Sequence, residues 1–229
     1  MATASTSLSK IKANSLNLAG TYGFSGTVSG LADETPLVLI STFTSDGSDA
    51  TATFTSGIDS TYKEYLFVFN NIHVQSGGTI LAFHPSTDGG SSYGVATTNT
   101  YVESQHNEAD NIASVTYDTC KDQAQNTGLI YFGTAGDADN DASMSGTLRL
   151  YNPSSTTFVK HYVSAIQGME NGDISTLVLG AGYINTTSAV NTMRFQLTAG
   201  EIQGGTIDLF GVVSVSYTHL RAHETSGDL

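Results

Sequence analysis

Residues 64–86 read EYLFVFNNIHVQSGGTILAFHPS and decide the fold class. Two runs of strand length flank a Gly77-Gly78 turn, and both are rich in the aromatic and β-branched residues that favour strands. The run at 65–69 is apolar at every position, which indicates a strand that is covered on both faces or lies at a subunit contact. We expect it to be the core strand of an all-β protein.

The rest of the chain repeats this pattern. From residue 37 onward, short apolar runs alternate with turn clusters, and no window carries a sustained helical repeat. Several runs alternate apolar and polar residues, which is typical of strands with one wet face. The predicted strands are 37–43, 50–55, 64–74, 79–86, 112–117, 129–132, 144–151, 157–167, 176–184, 192–198 and 206–212. This spacing predicts a two-sheet, jelly-roll-like β-sandwich over residues 36–213.

The charge of the chain restricts its partners. It has 229 residues, of which 21 are acidic and 8 are basic, so the formal net charge is -13. A field of this sign repels nucleic acid and anionic lipid, so we expect no nucleic-acid binding. No stretch approaches the roughly 20 apolar residues of a membrane span, and residues 1–9 do not resemble a signal peptide, so we expect no membrane insertion.

The N-terminal 35 residues differ from the sandwich. Their apolar residues are isolated among Gly, Ser and Thr, and alone they could bury too little surface to fold. Such an extended Gly/Ser/Thr-rich segment becomes ordered when several copies intertwine. We therefore interpret residues 1–35 as an oligomerising arm.

The C-terminal residues 214–229 form a separate segment. Residues 215–225 read VSYTHLRAHET and resemble the translated read-through of a transposase-type sequencing adapter. This resemblance implies a non-native tail and an environmental (metagenomic) assembly as the source. It also implies that the apparent cluster of His219, Arg221, His223 and Glu224 should be excluded from site reasoning.

A turn motif follows the second run of the opening stretch. Ser86, Asp88, Gly90 and Tyr93 fit the pattern S-x-D-x-G-x-x-aromatic, which resembles the Asp-box turn of sialidase-like propellers. We expect the motif to fix a hairpin, because Asp accepts backbone N–H bonds and Gly allows positive φ. A sialidase needs several boxes and an arginine cluster, whereas this motif occurs once, and no other catalytic motif is present. We expect no enzymatic activity.

Two weaker candidate sites remain. Tyr93, Asn99, Tyr101 and Asn107 are expected in exposed loops, where they could form a glycan-stacking surface, although ordinary loop composition explains them equally well. Asp137, Asp139 and Asp141 partly resemble the start of a calcium loop. The sixth position lacks Gly and the twelfth lacks Glu, so a solvated acidic turn is the alternative. We expect no other cofactor.

Two stretches resemble structural proteins of tailed-phage virions. Residues 54–93 carry a line of the form G-I-D-S-x-Y-x-x-Y-x-F followed by an S-T-D-G-G-S-x-Y turn, and residues 204–211 close the domain with GGTIDLFG. The resemblance, which also covers the arm at residues 14–28, implies a tail-fibre or related appendage protein, assembled as a homotrimer in the virion. Its implied partners are other virion proteins and a host-surface glycan. The alternatives are a capsid decoration protein, a carbohydrate-binding module outside a virion, and a lone Asp-box hydrolase.

Overall fold

The computed structural model describes residues 36–213, which form thirteen β-strands connected by turns. The strands are β1 (Leu37–Thr44), β2 (Ala52–Phe54), β3 (Glu64–Val74), β4 (Thr79–Ser86), β5 (Thr97–Asn107), β6 (Ala113–Tyr117), β7 (Gln123–Asn126), β8 (Ile130–Gly136), β9 (Met144–Tyr151), β10 (Lys160–Glu170), β11 (Ile174–Ile184), β12 (Thr192–Leu197) and β13 (Ile202–Val212).

The strands form two antiparallel sheets. The large sheet has nine strands in the order β1-β13-β3-β9-β10-β11-β5-β6, with β7 also pairing with β5. The small sheet has four strands in the order β2-β12-β4-β8. The predicted all-β, two-sheet class is confirmed, and the arrangement is compatible with a jelly-roll-like sandwich.

An aromatic core joins the two sheets. Phe67 and Phe69 of β3 meet Phe195 of β12 in edge-to-face contacts, with ring centroids 4.9 and 5.1 Å apart. Each buried ring contributes about 2 kcal/mol from apolar burial, and the edge-to-face geometry adds about 1 kcal/mol per pair. Because β3 lies between β13 and β9 and its residues 65–67 and 69 are buried, the prediction of a core strand at 65–69 is confirmed.

A paired irregularity bends β3 and β13 together. The register between them shifts on both sides of Gly204, and the register between β3 and β9 shifts between Phe69 and Ile72. Asn71 has φ 50° and Gly205 has φ 98°, both in the left-handed region. A Cβ on Gly205 would lie 2.4 Å from the Asn71 carbonyl oxygen, so only glycine fits there.

The predicted strands agree with the structure best where they are apolar. The predicted bounds of β3, β4 and β9 coincide with the observed ones, whereas β5 and β7 were not predicted. Strand β5 reads TTNTYVESQHN, which is polar on both faces and therefore resembles a loop. The predicted arm and the predicted non-native tail lie outside the described residues.

Candidate functional site

The Asp-box-like turn is built around the Asp88 carboxylate. Asp88 Oδ1 accepts from Ser86 Oγ at 2.7 Å and from the Ser92 N–H at 2.9 Å, and Oδ2 accepts from Ser92 Oγ at 2.5 Å. These bonds, led by those from Ser92, lower the pKa of Asp88 to about 2. The carboxylate is therefore ionised at neutral pH and committed to holding the turn.

The turn does not form a hairpin, so that prediction is wrong. Strand β4 before it belongs to the small sheet, and β5 after it belongs to the large sheet. Gly89 and Gly90 have φ 73° and 87°, which lets the chain reverse tightly as it crosses from one sheet to the other. The motif fixes a crossover between the two layers.

Tyr93 ends the turn against an arginine that the motif did not identify. The Arg194 guanidinium carbon lies 3.8 Å from the centroid of the Tyr93 ring, which is a cation–π contact. Arg194 Nη2 donates to His84 Nδ1 at 2.8 Å. Burial, followed by the charge of Arg194, lowers the pKa of His84, so the neutral imidazole accepts this bond. The contacts among Tyr93, Arg194 and His84 hold the turn against β4 and β12.

The other members of the predicted glycan surface are not in exposed loops. Asn99, Tyr101 and Asn107 lie on β5 and are buried. Tyr101 Oη donates to the Gly133 carbonyl at 2.8 Å, and Asn99 Nδ2 donates to the Tyr131 carbonyl at 3.1 Å. These bonds tie β5 to β8 across the two sheets. The prediction of exposure is wrong for these three residues, and they cannot stack against a sugar.

Asn107 has a local role at the next turn. Its Oδ1 accepts from the backbone N–H groups of Asn111 and Ile112 at 3.1 and 2.9 Å. These bonds cap the turn from β5 to β6. Of the four residues proposed for a glycan surface, only Tyr93 is partly exposed.

The acidic loop does not gather its three carboxylates. Asp137 is buried and its Oδ1 accepts from the Asp139 N–H at 3.3 Å, whereas Asp139 and Asp141 are exposed. With its amide nitrogen turned toward the carboxylate, Asn171 donates to Asp137 Oδ1 at 2.6 Å. Within residues 36–213, no three His, Cys, Asp or Glu side chains are grouped as metal ligands. Calcium binding at this loop stays a prediction without a formed site.

The G-I-D-S-x-Y-x-x-Y stretch meets the closing GGTIDLFG segment in one structural cluster. Tyr65 Oη accepts from the Asp59 N–H at 2.9 Å and donates to the Asp59 carbonyl at 3.1 Å. The Tyr62 ring packs edge-on against Tyr65, with centroids 5.7 Å apart, and covers Gly211 so closely that a Cβ there would lie 2.3 Å from the ring. The two stretches therefore form one structural unit at β3 and β13.

Within residues 36–213, the side of the sandwich formed by β1 and β2 has two unpaired strand edges. β1 ends the large sheet and β2 ends the small sheet, and nothing in the described chain pairs with the second edge of either strand. A groove of about 210 Å³ runs between them, lined by Ser41, Phe43, Phe54 and Ser56 among others. β1 reads LVLISTFT, without a charged residue or proline, and Leu39 is 56% exposed. Soluble proteins usually protect such an edge with charges, proline or a covering segment.

No family model, curated protein or solved structure matches this chain. Among residues 36–213, no helix has the length and apolar character needed to cross a membrane.

Proposed function

We propose that this protein is a structural component of a tailed-phage particle, a tail-fibre or related appendage protein that assembles as a homotrimer and has no catalytic activity. The observation that carries the assembly role is the open, uncharged edge of β1 and β2. The virion assignment rests on the resemblance of residues 54–93 and 204–211, from which Asp59, Tyr62, Tyr65 and Gly211 lie in one structural cluster.

The sequence of the N-terminal arm supplies a partner for this edge. Within residues 16–28 of the arm, the large apolar residues Leu16, Leu18, Tyr22, Phe24 and Val28 fall at even positions, which is the pattern of a strand with one apolar face. A strand added to β1 would satisfy the free backbone groups of the edge and place apolar side chains against the groove. We propose that the arm of one copy adds to β1 of a neighbouring copy.

The polar groups of the described sandwich are consistent with a scaffold. Asp88, Tyr101 and Asn107 each use their hydrogen-bonding atoms to hold turns or to link the two sheets. A role in binding a host glycan would therefore depend on other surface residues, with Tyr93 as the only retained candidate.

The arm exchange can be tested in the full chain by site-specific photo-crosslinking. The photoreactive analogue p-benzoylphenylalanine replaces Phe24, and a matched control places it at Ser25, which falls on the opposite face of the same pattern. We expect irradiation of the Phe24 variant to give covalent dimers and trimers whose cross-links map to β1 or to the groove, with far lower yield from the control. Cross-links confined within single chains, shown by mixing isotope-labelled and unlabelled copies, would contradict the exchange.

The virion assignment has a separate test in the genes that flank the coding sequence. We expect portal, tail-tube or terminase genes nearby. A neighbourhood of cellular metabolic genes would contradict a virion role, whatever the oligomeric state.

A further inference from the structure

The outer face of the large sheet carries an apolar band at the end formed by β10, β11, β5 and β6. We define the outer band as Val163, Leu177, Leu179, Val115 and Tyr117. Val163 is 48% exposed, Leu179 49% and Val115 77%, so these side chains point into solvent in the isolated chain. Scattered exposed apolar residues are ordinary, but a cluster on one sheet face marks an interaction surface.

The strand register makes the outer band contiguous. Leu179 of β11 pairs with Ala165 of β10 on one side and with Val102 of β5 on the other, and Val102 pairs with Tyr117 of β6. In the next row, Leu177 pairs with Ser104, which pairs with Val115. Directly opposed residues of antiparallel strands share a face with Cβ atoms about 5 Å apart. Val163 pairs with Ala181 in the row on the other side of Leu179. The five side chains therefore form one surface across three neighbouring rows.

Strands β10, β11, β5 and β6 place no Asp, Glu, Lys or Arg on this face, although the protein is strongly acidic. On the neighbouring strand β9, Arg149 pairs with Val163 and forms an ion pair with Glu64 of β3, at the border of the band. On β10, β11, β5 and β6, the outward positions hold only apolar, small polar, amide, histidine and tyrosine side chains: His161, Val163, Ala165, Gln167, Met169, Ser175, Leu177, Leu179, Ala181, Tyr183, Thr98, Thr100, Val102, Ser104, His106, Ala113, Val115 and Tyr117. The acidic residues of these strands face the other side of the sheet.

The contacts of those acidic side chains show that they lie on the opposite face of the sheet from the band. Glu103 on β5 accepts from Lys121 Nζ at 2.8 Å, and Glu170 on β10 bonds the Thr134 hydroxyl and the Ala135 N–H. At the margin of the band, Tyr117 Oη donates to Asp122 at 2.9 Å. A depression of about 510 Å³ adjoins the band, with Ser104, Val115 and Leu177 in its lining. The surface thus combines apolar projections with a neighbouring hollow.

We propose that the outer band packs against the outer bands of other copies of this chain around the axis of the trimer. This inference rests on the proposed homotrimer and names a second surface that would hold it together. Copies with a formal net charge of -13 repel each other, and the repulsion is weakest where the strands that meet carry no acidic side chain on the contacting face. Burial of the band would then supply the hydrophobic stabilisation of the contact.

A charge-insertion pair tests the band in the full chain. Leu179→Lys places an amine at its centre, whereas the matched control Phe158→Lys changes a residue that is 69% exposed and lies outside the band, in the turn before β10. We expect Leu179→Lys to weaken trimer formation by about tenfold or more in sedimentation velocity, because an unpaired lysine would be buried. Phe158→Lys should leave association unchanged, and the melting temperature of the dissociated chain should be the same in both variants.

Disulfide cross-linking tests the same contact without weakening the association of the copies. In a Cys120→Ser background, Leu179→Cys should form disulfide-linked copies on mild oxidation, and Phe158→Cys should not. Suppose that the wild type is a trimer, that Leu179→Lys leaves the trimer intact and that Leu179→Cys gives no cross-link. The proposed packing of the band would then be contradicted, while the proposed trimer would stand. A wild type that stays monomeric at all concentrations would overturn the trimer and the band together.

Discussion

Single residues at the bulge between β3 and β13 show how tightly local geometry restricts the sequence. Gly204 and Gly205 are adjacent glycines. Only Gly205 has a positive φ, and only there would an added Cβ lie against a backbone carbonyl oxygen. At Gly204, the nearest atom to an added Cβ is His73 Cβ at an ordinary 3.5 Å. Substituting each glycine by alanine therefore compares a position where a Cβ is opposed with an adjacent one where it is tolerated.

We predict that Gly205→Ala lowers the free energy of unfolding by about 2–4 kcal/mol, because the left-handed conformation and the contact with Asn71 both oppose a Cβ. Gly204→Ala should change it by less than about 1 kcal/mol. Urea unfolding of the two variants beside the wild type measures the difference. Equal losses in both variants would contradict the geometry described for Gly205.

His84 should make stability depend on pH. Its folded-state pKa lies below the unfolded value of about 6.5, mainly because the ring is partly buried. The stability contributed by the neutral ring is therefore present above about pH 6.5 and is lost as the pH falls through the folded-state pKa.

We predict that His84→Gln, whose amide oxygen can still accept from Arg194, flattens the decline in stability between about pH 7 and pH 5 relative to the wild type. Urea midpoints measured across this range check the prediction. Parallel pH profiles for the two proteins would show that His84 does not titrate against the fold.

At the scale of elements, sequence reasoning worked for strands with an apolar face and failed for strands held by polar contacts. β3, β4 and β9 face the aromatic core, so the apolar runs of β3 and β4 and the alternation around Leu148 and Leu150 in β9 can be recognised in the sequence. Strand β5 instead packs on the edge strand β8 of the small sheet through polar side chains. Asn99 and Tyr101 of β5 donate to backbone carbonyl groups of β8. Those carbonyl groups lie 32 residues away along the chain, so no local sequence pattern predicts the contacts.

The candidate site shows the same division. The bonds around Asp88 join residues within seven positions of each other, so the motif predicted a tight turn. The Tyr93–Arg194 stack and the crossover between sheets depend on strand order, which the sequence does not display. Edge position is a property of the whole sheet, so the open side at β1 and β2 was equally hidden.

We predict that Tyr101→Phe destabilises the protein by about 1–2 kcal/mol, because the Gly133 carbonyl would lose its cross-sheet donor in a buried setting. The control Tyr183→Phe removes a hydroxyl that accepts only a long 3.4 Å bond from Gln125 at the surface, and should cost less than about 0.5 kcal/mol. Thermal unfolding of both variants is the measurement. A neutral Tyr101→Phe would mean that β5 and β8 are held by packing alone.

For the whole molecule, the excess of acidic residues should oppose assembly. Raising the ionic strength from about 0.01 M to about 1 M shortens the Debye length from about 30 Å to about 3 Å, which removes most repulsion between copies. We predict that trimer formation strengthens with salt, since the proposed contacts are apolar. Sedimentation equilibrium across this range checks it, and weaker association at high salt would point to ion pairs between copies instead.

The pairing of β1 with β13 also brings the two limits of the sandwich together. The Val213 N–H donates to the Pro36 carbonyl at 2.9 Å, so the chain enters and leaves the sandwich at one corner. A domain closed in this way is suited to circular permutation, with residues 213 and 36 joined by a short linker and new termini opened in an exposed turn such as Asn171-Gly172. For the same reason it could be carried as an insert within a loop of another protein without stretching its host.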